Sequence, residues 1–165
     1  MKANIIILFL VLQSFVSVVL SQNIQNGFDI QTKENTTWFR DVNASQYKGY
    51  PENNRVGRLS DPLAKFSTLE NFKKIEQEIF SEDERTALFA NNYPMIFFTI
   101  RANDGKIVAV TFTFDDLPNI SLIDTRKLAK FRIKVINEIM YEDLQFNGQK
   151  ATSGYMMQGM RLFKP

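Results

Sequence analysis

Cysteine and histidine are both absent from the 165 residues. Without thiols there is no disulfide, no thiolate nucleophile, no zinc–thiolate centre and no cysteine-ligated iron–sulfur cluster. Without imidazole the commonest general acid/base and the commonest metal ligand are missing too. The fold has to be held by packing alone. Charge of one sign is also lacking, since 20 Lys and Arg face 18 Asp and Glu. Phosphate neutralisation needs a basic surplus or stripe, so nucleic acid is not the expected partner. Long apolar runs are lacking as well, with one exception at the start of the chain.

That exception reads Ile-Ile-Ile-Leu-Phe-Leu-Val-Leu-Gln-Ser-Phe-Val-Ser-Val-Val-Leu from Ile5 to Leu20, behind Met1 and Lys2 and ahead of Ser21. A basic start, an apolar run and medium or small residues at Val19 and Ser21 are the layout of a secretory signal peptide. Cleavage is expected after Ser21, leaving Gln22 as the mature N-terminus. The alternative is an uncleaved anchor, but about 16 apolar residues fall short of the roughly 20 that span a bilayer. Gln22 to Gly27 carries no charged stop-transfer flank either. No cysteine follows the run, which excludes lipid attachment there. The chain is therefore expected to be secreted or periplasmic, with no membrane-spanning segment after cleavage.

Loss of Lys2 takes the basic count from 20 to 19 against 18 acids, a net +1. About 144 residues remain, the size of one domain with a substantial core. Fifteen phenylalanines are available to fill it. Three stretches are expected: a signal peptide over 1–21, a hairpin and loop-rich segment over 22–66, and an α+β core over 67–165. The last two are read as one domain.

In the N-terminal segment Phe28-Asp29-Ile30-Gln31-Thr32 alternates apolar and polar residues, Lys33-Glu34-Asn35 can turn, and Thr36 to Val42 returns with β-favouring types. A hairpin is predicted there. Tyr47 to Ser60 reads as a surface loop in which Lys48, Arg55 and Arg58 are solvated. Two capping boxes follow, Ser67 with Glu70 and Ser81 with Glu84. Behind the first, Leu69, Phe72, Ile75, Ile79 and Phe80 recur at helical spacing, with Lys73, Lys74, Glu76, Gln77 and Glu78 assigned to the solvent face. The second opens a shorter helix through Leu88 and Phe89, which Asn91-Asn92-Tyr93-Pro94 ends.

Met95 to Arg101 and Lys106 to Phe114 are the clearest strands. Ile96, Phe98 and Ile100 form one apolar face, matched by Val108, Val110, Phe112 and Phe114. Asn103-Asp104-Gly105 supplies a tight hairpin turn. A long helix is predicted from about Asp124 to Tyr141, with Leu128, Phe131, Val135 and Ile139 along its apolar stripe. Asn147-Gly148 is a further turn and Tyr155 to Phe163 a closing strand. The expected fold is α+β: a small antiparallel sheet packed against the long helix, with two short helices preceding the central hairpin.

This order, together with Phe97-Phe98-Thr99-Ile100-Arg101-Ala102-Asn103-Asp104-Gly105-Lys106-Ile107-Val108-Ala109-Val110, Asn147-Gly148-Gln149 and Met160-Arg161-Leu162-Phe163, resembles the C-terminal domain of TonB-like energy transducers. The resemblance spans residues 95 to 163. The chain has no Pro-rich spacer, and Glu142 to Phe146 stand where that family carries an aromatic–proline segment. What the resemblance implies is therefore a fold and an open sheet edge on which a partner's extended segment could add as a strand.

No catalytic, cofactor-binding or metal-ligating residue is assigned. Asp115-Asp116 could in principle serve as a carboxylate pair on a glycosidic bond, but neighbours on a strand point apart and Pro118 marks a terminating turn. Glu82-Asp83-Glu84 are acids of a first helical turn, favoured there by the helix dipole. Arg126, Lys127, Lys130, Arg132 and Lys134 could meet an anionic surface, yet Asp124, Glu138, Glu142 and Asp143 bracket them, so a solvated face is expected. Met156, Met157 and Met160 are read as core filling. Asn35, Asn43 and Asn119 fit the glycosylation pattern. The expected function is an exported, non-catalytic binding module, an accessory of the cell envelope that takes a protein or glycan partner and needs no cofactor. A carboxylate-dependent hydrolase acting on glycan or peptidoglycan is the alternative.

Overall fold

The structure is a computed structural model that describes residues 23–49, 65–66, 69–116, 122–142, 144–146 and 149–163. The signal segment, Ser67, residues 50–60, Pro118, Asn119, Asp143 and the Asn147-Gly148 turn lie outside the described residues.

Ten strands are described, β1 (Asn23–Gln25), β2 (Phe28–Lys33), β3 (Thr36–Asp41), β4 (Lys65–Phe66), β5 (Met95–Arg101), β6 (Ile107–Asp115), β7 (Tyr141–Glu142), β8 (Gln145–Phe146), β9 (Gln149–Lys150) and β10 (Tyr155–Arg161). Three α-helices accompany them, α1 (Leu69–Ile79), α2 (Glu82–Asn92) and α3 (Thr125–Glu138). Six of the strands form one antiparallel sheet in the order β1-β2-β3-β6-β5-β10. The fold is α+β, as expected, and the N-terminal hairpin joins the central sheet by pairing β3 with β6.

Alternation along the strands sorts side chains to two faces. Phe28, Ile30, Phe39, Ile96, Phe98, Ile100, Val110, Phe112 and Phe114 are buried on the helix-covered face. There α3 lays Phe131 against Phe112 at a ring separation of 6.0 Å, and α1 sets Phe72 edge-on to Phe98 at 5.8 Å. Phe72 also meets Phe131 at 5.4 Å, which ties the two helices together. Edge-to-face and tilted ring pairs add to the burial energy of a fold that has no disulfide.

Local expectations hold closely at the central hairpin and at α2. Gly105 takes φ +74, where an added Cβ would lie 1.7 Å from the Tyr141 carbonyl oxygen, so the turn needs glycine. Ser81 caps α2 reciprocally with Glu84, accepting from its N–H while the Glu84 carboxylate accepts from the Ser81 N–H. Four details differ. A bulge between Ala109 and Ile107 shifts the register, so that Ile107 rather than Val108 faces the core. Helix α3 stops at Glu138, because Met140 bridges to Lys106 and Tyr141 pairs with Phe66 and donates its N–H to the Gly105 carbonyl. Glu76, assigned to solvent by its spacing, is buried and accepts the Phe163 N–H at 2.6 Å. The closing strand ends at Arg161, and Phe163 lies beyond it in the left-handed region at φ +57.

Candidate functional site

No α-helix among the described residues covers the second face of the sheet. Register places Trp38, Thr113 and Met95 in one row across β3, β6 and β5, then Arg40, Thr111, Phe97 and Gly159 in the next, then Ala109, Thr99 and Met157. Over this face runs the segment after β3. The Asp41 carboxylate accepts the Asn43 N–H at 3.0 Å, a 3-10 turn follows over Ala44–Gln46, and the Gly49 carbonyl accepts the Tyr155 N–H at 2.9 Å. The segment is thereby tied at both ends to sheet strands. Between it and the strands lies a groove of about 760 Å³.

The groove is aromatic and basic. Trp38 and Phe97 stack with ring centres 6.1 Å apart and planes 19° apart, and Tyr47 meets Tyr155 at 5.3 Å. Phe97 lies over Gly159, whose missing Cβ would stand 2.8 Å from the ring, so the glycine makes the seat for that ring. Thr99, Thr111 and Ser45 add hydroxyls, and Arg40 and Lys48 add two exposed cations. Among the described residues neither cation is in an ion pair and no carboxylate lines the groove; the residue in register with Arg40 on β2 is Asp29. Aromatic faces, hydroxyls and unpaired cations in one concave surface are the means of holding a ligand with apolar faces and negative charge.

The residues singled out in the sequence distribute differently. Met157 is 67 % exposed at the groove, because strand alternation turns it away from the buried Met156. Lys48, expected in a solvated loop, stands on the groove wall. Asp115 closes β6 and accepts from the Thr36 hydroxyl at 2.7 Å. Asp116 follows at φ +50 and lines a second cavity with Glu84 and Asp124, on the other side of the molecule between α2 and α3. The carboxylates are therefore not paired on one strand, but three do border one cavity. Two of them are occupied. Lys127 binds both oxygens of Glu84 and holds its pKa below the ordinary value, helped by the Ser81 N–H. Arg126 does the same for Asp124, which also caps α3. A general acid needs the opposite shift. Glu82 and Asp83 are exposed in the first turn of α2, and no cluster suited to a metal ion occurs among the described residues.

The basic residues of α3 are mostly engaged. Lys134 bonds Glu78 at 2.7 Å and Glu138 at 3.3 Å, while Lys130 is exposed. Arg132 departs from the expected solvated face: it reaches inward to Asp41 and donates to the Gly27 carbonyl at 2.9 Å. Asn35 and Asn43 are exposed.

No helix among the described residues is long and apolar enough to cross a membrane. No protein-family model matches the chain, and no curated protein matches it. Among solved structures, the crystal structure of a DUF5043 family protein from Bacteroides uniformis is similar, with a TM-score of 0.52 and 13 % identity. The match covers 86 % of this chain and 93 % of that one, so the likeness extends through nearly the whole of both and is one of fold alone.

Proposed function

We propose that the chain is an exported, non-catalytic binding module of the cell envelope, and that its ligand is an acidic glycan held in the sheet groove. The observation that carries this reading is the groove itself, where the Trp38–Phe97 stack and the Tyr47–Tyr155 pair adjoin Arg40 and Lys48, cations with no ion-pair partner and no lining carboxylate among the described residues. Sugar rings present C–H faces to aromatic planes, and uronic carboxylates give Arg a bidentate partner. Export rests on the Met1 to Ser21 segment, and N-terminal sequencing of secreted material is expected to start at Gln22.

Trp38 is the single tryptophan of the chain, so its fluorescence reads the groove directly. Titration with a uronic-acid oligosaccharide is expected to shift that emission saturably, whereas a neutral cello-oligosaccharide binds at least about tenfold more weakly, as loss of a charge-assisted pair implies. Arg40→Gln should erase the difference. Equal affinities, or no saturable change, would sink the glycan reading. An extended peptide saturating in its place would favour strand addition at β10, where Met157, Gly159 and Arg161 alternate with the residues bonded to β5 and the TonB-like resemblance puts a partner. Turnover of glycan or peptidoglycan lost in Asp116→Asn would establish the hydrolase instead.

A further inference from the structure

We infer that Arg161, at the end of β10, is the centre of a second binding site, which takes a single carboxylate carried on an apolar body. The carbon of its guanidinium lies over two rings, 4.1 Å from the centre of Phe89 on α2 and 4.0 Å from that of Tyr93. With a ring against it on two sides, the group is left to act through its open edge. Nε is buried with no hydrogen-bond partner, whereas the two Nη groups are not closed off and have no partner among the described residues. Two N–H groups in a rigid fork match the two oxygens of a carboxylate.

Other arginines of the chain show what a purely structural guanidinium looks like in this fold. Arg85 donates to the Phe80 carbonyl, Arg101 to Asp104, and Arg126 to Asp124. Arg132, which also lies over a ring, donates to the Gly27 carbonyl with Asp41 beside it. Each of these ties comes with an acceptor; Arg161 has none among the described residues. The clamp around it is also costly. Tyr93 caps the C-terminal end of α2 at φ +35 and ψ +63, a left-handed conformation that strains any residue but glycine, and Pro94 restricts the same position further. Glycine or asparagine would end the helix there at less cost. Tyrosine instead brings a ring to the guanidinium, and with the residue 50 % exposed the fork adjoins an open apolar wall. One unpaired cation beside one ring selects one negative charge on an apolar body. The site shares no residue with the sheet groove and does not depend on the glycan reading.

Benzoate and benzamide test the assignment, since they are alike in shape and only benzoate is charged. The Nε–H resonance of Arg161 and the ring resonances of Tyr93 in the purified protein report occupancy. Benzoate is expected to shift both saturably and to bind at least about fivefold more tightly than benzamide, the ratio between charge-assisted and neutral hydrogen bonds. Glucuronate, a carboxylate without an apolar body, should bind there at least about threefold more weakly than benzoate. Arg161→Lys keeps the charge without the fork and should lose most of the benzoate response at Tyr93. Tyr93→Gly, placed where glycine is favoured, should fold and bind benzoate more weakly at Arg161. Arg40→Gln should leave the response unchanged, which separates this site from the groove. Equal affinity for benzoate and benzamide, glucuronate binding as tightly as benzoate, undiminished binding by Arg161→Lys or Tyr93→Gly, a response that Arg40→Gln removes, or no saturable shift at Arg161 would each overturn the inference.

Discussion

Arg132 of α3 places its Nη1 3.4 Å from the Oδ1 of Asp41 at the end of β3, with the Asp41 side chain 2 % exposed and that of Arg132 15 %. The guanidinium also lies 4.8 Å from the centre of the Phe28 ring and donates to the Gly27 carbonyl. One side chain thus fastens the N-terminal hairpin to the long helix. Breaking a buried pair from one side leaves the other charge uncompensated, at a cost of about 3 to 5 kcal/mol. Asp41→Ala and Arg132→Met should each lose about 3 kcal/mol in urea unfolding. The double variant should lose clearly less than the two together. Additive losses would show that the two side chains are independent.

Phe98 and Phe112 sit on adjacent strands, both fully buried against Phe72 and Phe131. Phe98→Ala or Phe112→Ala should cost about 3 to 5 kcal/mol, a large share of the roughly 5 to 15 that an ordinary domain has. Thr111, half-buried on the groove face, should cost under about 1 kcal/mol when truncated to alanine. A large loss at Thr111 would mean that the groove face is packed rather than open.

Gly159→Ala probes the groove without touching the core. The new Cβ would stand 2.8 Å from Phe97 Cε1, so the ring must tilt and the Trp38 stack with it. Trp38 emission should change in the free protein, with a stability loss of about 1 to 2 kcal/mol, in the range of mild overpacking. Unchanged emission would show that Phe97 does not hold the tryptophan.

Acid and alkaline sides of the stability profile should separate. Burial raises the pKa of Glu76 above its ordinary 4.5, against the opposing pull of the Phe163 N–H, Arg85 and Lys73. The folded state then holds the proton longer than the unfolded chain, so stability is full below about pH 4.5 and falls as pH rises through the folded value. Glu76→Gln keeps an acceptor for Phe163 and removes the charge. It should be more stable than the parent at pH 7 and equal to it at pH 4, as read by urea midpoints. Glu84 and Asp124 act in the opposite sense, since Lys127 and Arg126 lower them, and their exposed pairs fade as pH falls below the ordinary carboxylate range.

Local structure was legible where a signal is carried by neighbours in sequence. Ser81 and Glu84 are three residues apart, Asn103 to Gly105 are contiguous, and the β5 alternation needs only seven residues. Insertion of β3 beside β6 left no such mark, because pairing of Trp38 with Thr113 depends on which edge is open when the two hairpins meet. Arg132 shares its helical surroundings with Lys130 and Lys134, and only Asp41, far away in the chain, distinguishes it. Glu76 was lost for the same reason, its partner being Phe163. The groove draws Trp38, Tyr47, Phe97 and Tyr155 from four separate stretches, each an ordinary strand or loop aromatic when read alone. Asn92 reads as part of a helix-ending segment, and it is the last residue of α2.

The position of β3 inside the sheet carries a consequence for the order of events during synthesis. Thr36 finds its partner Asp115 after 79 residues, so the β2–β3 ribbon leaves the ribosome long before the strand that covers its flank. Until β6 arrives, Trp38 and Phe39 ride on the unpaired edge of the small β1–β2–β3 meander, and a bare strand edge is a template for association. Sheet completion must therefore wait on a distant closure, which makes folding slow relative to a helical bundle of this size. A chain interrupted anywhere between Asp41 and Ile107 would carry that naked edge permanently, and such fragments are expected to aggregate, whereas the β5–β6 hairpin alone can close within its own turn.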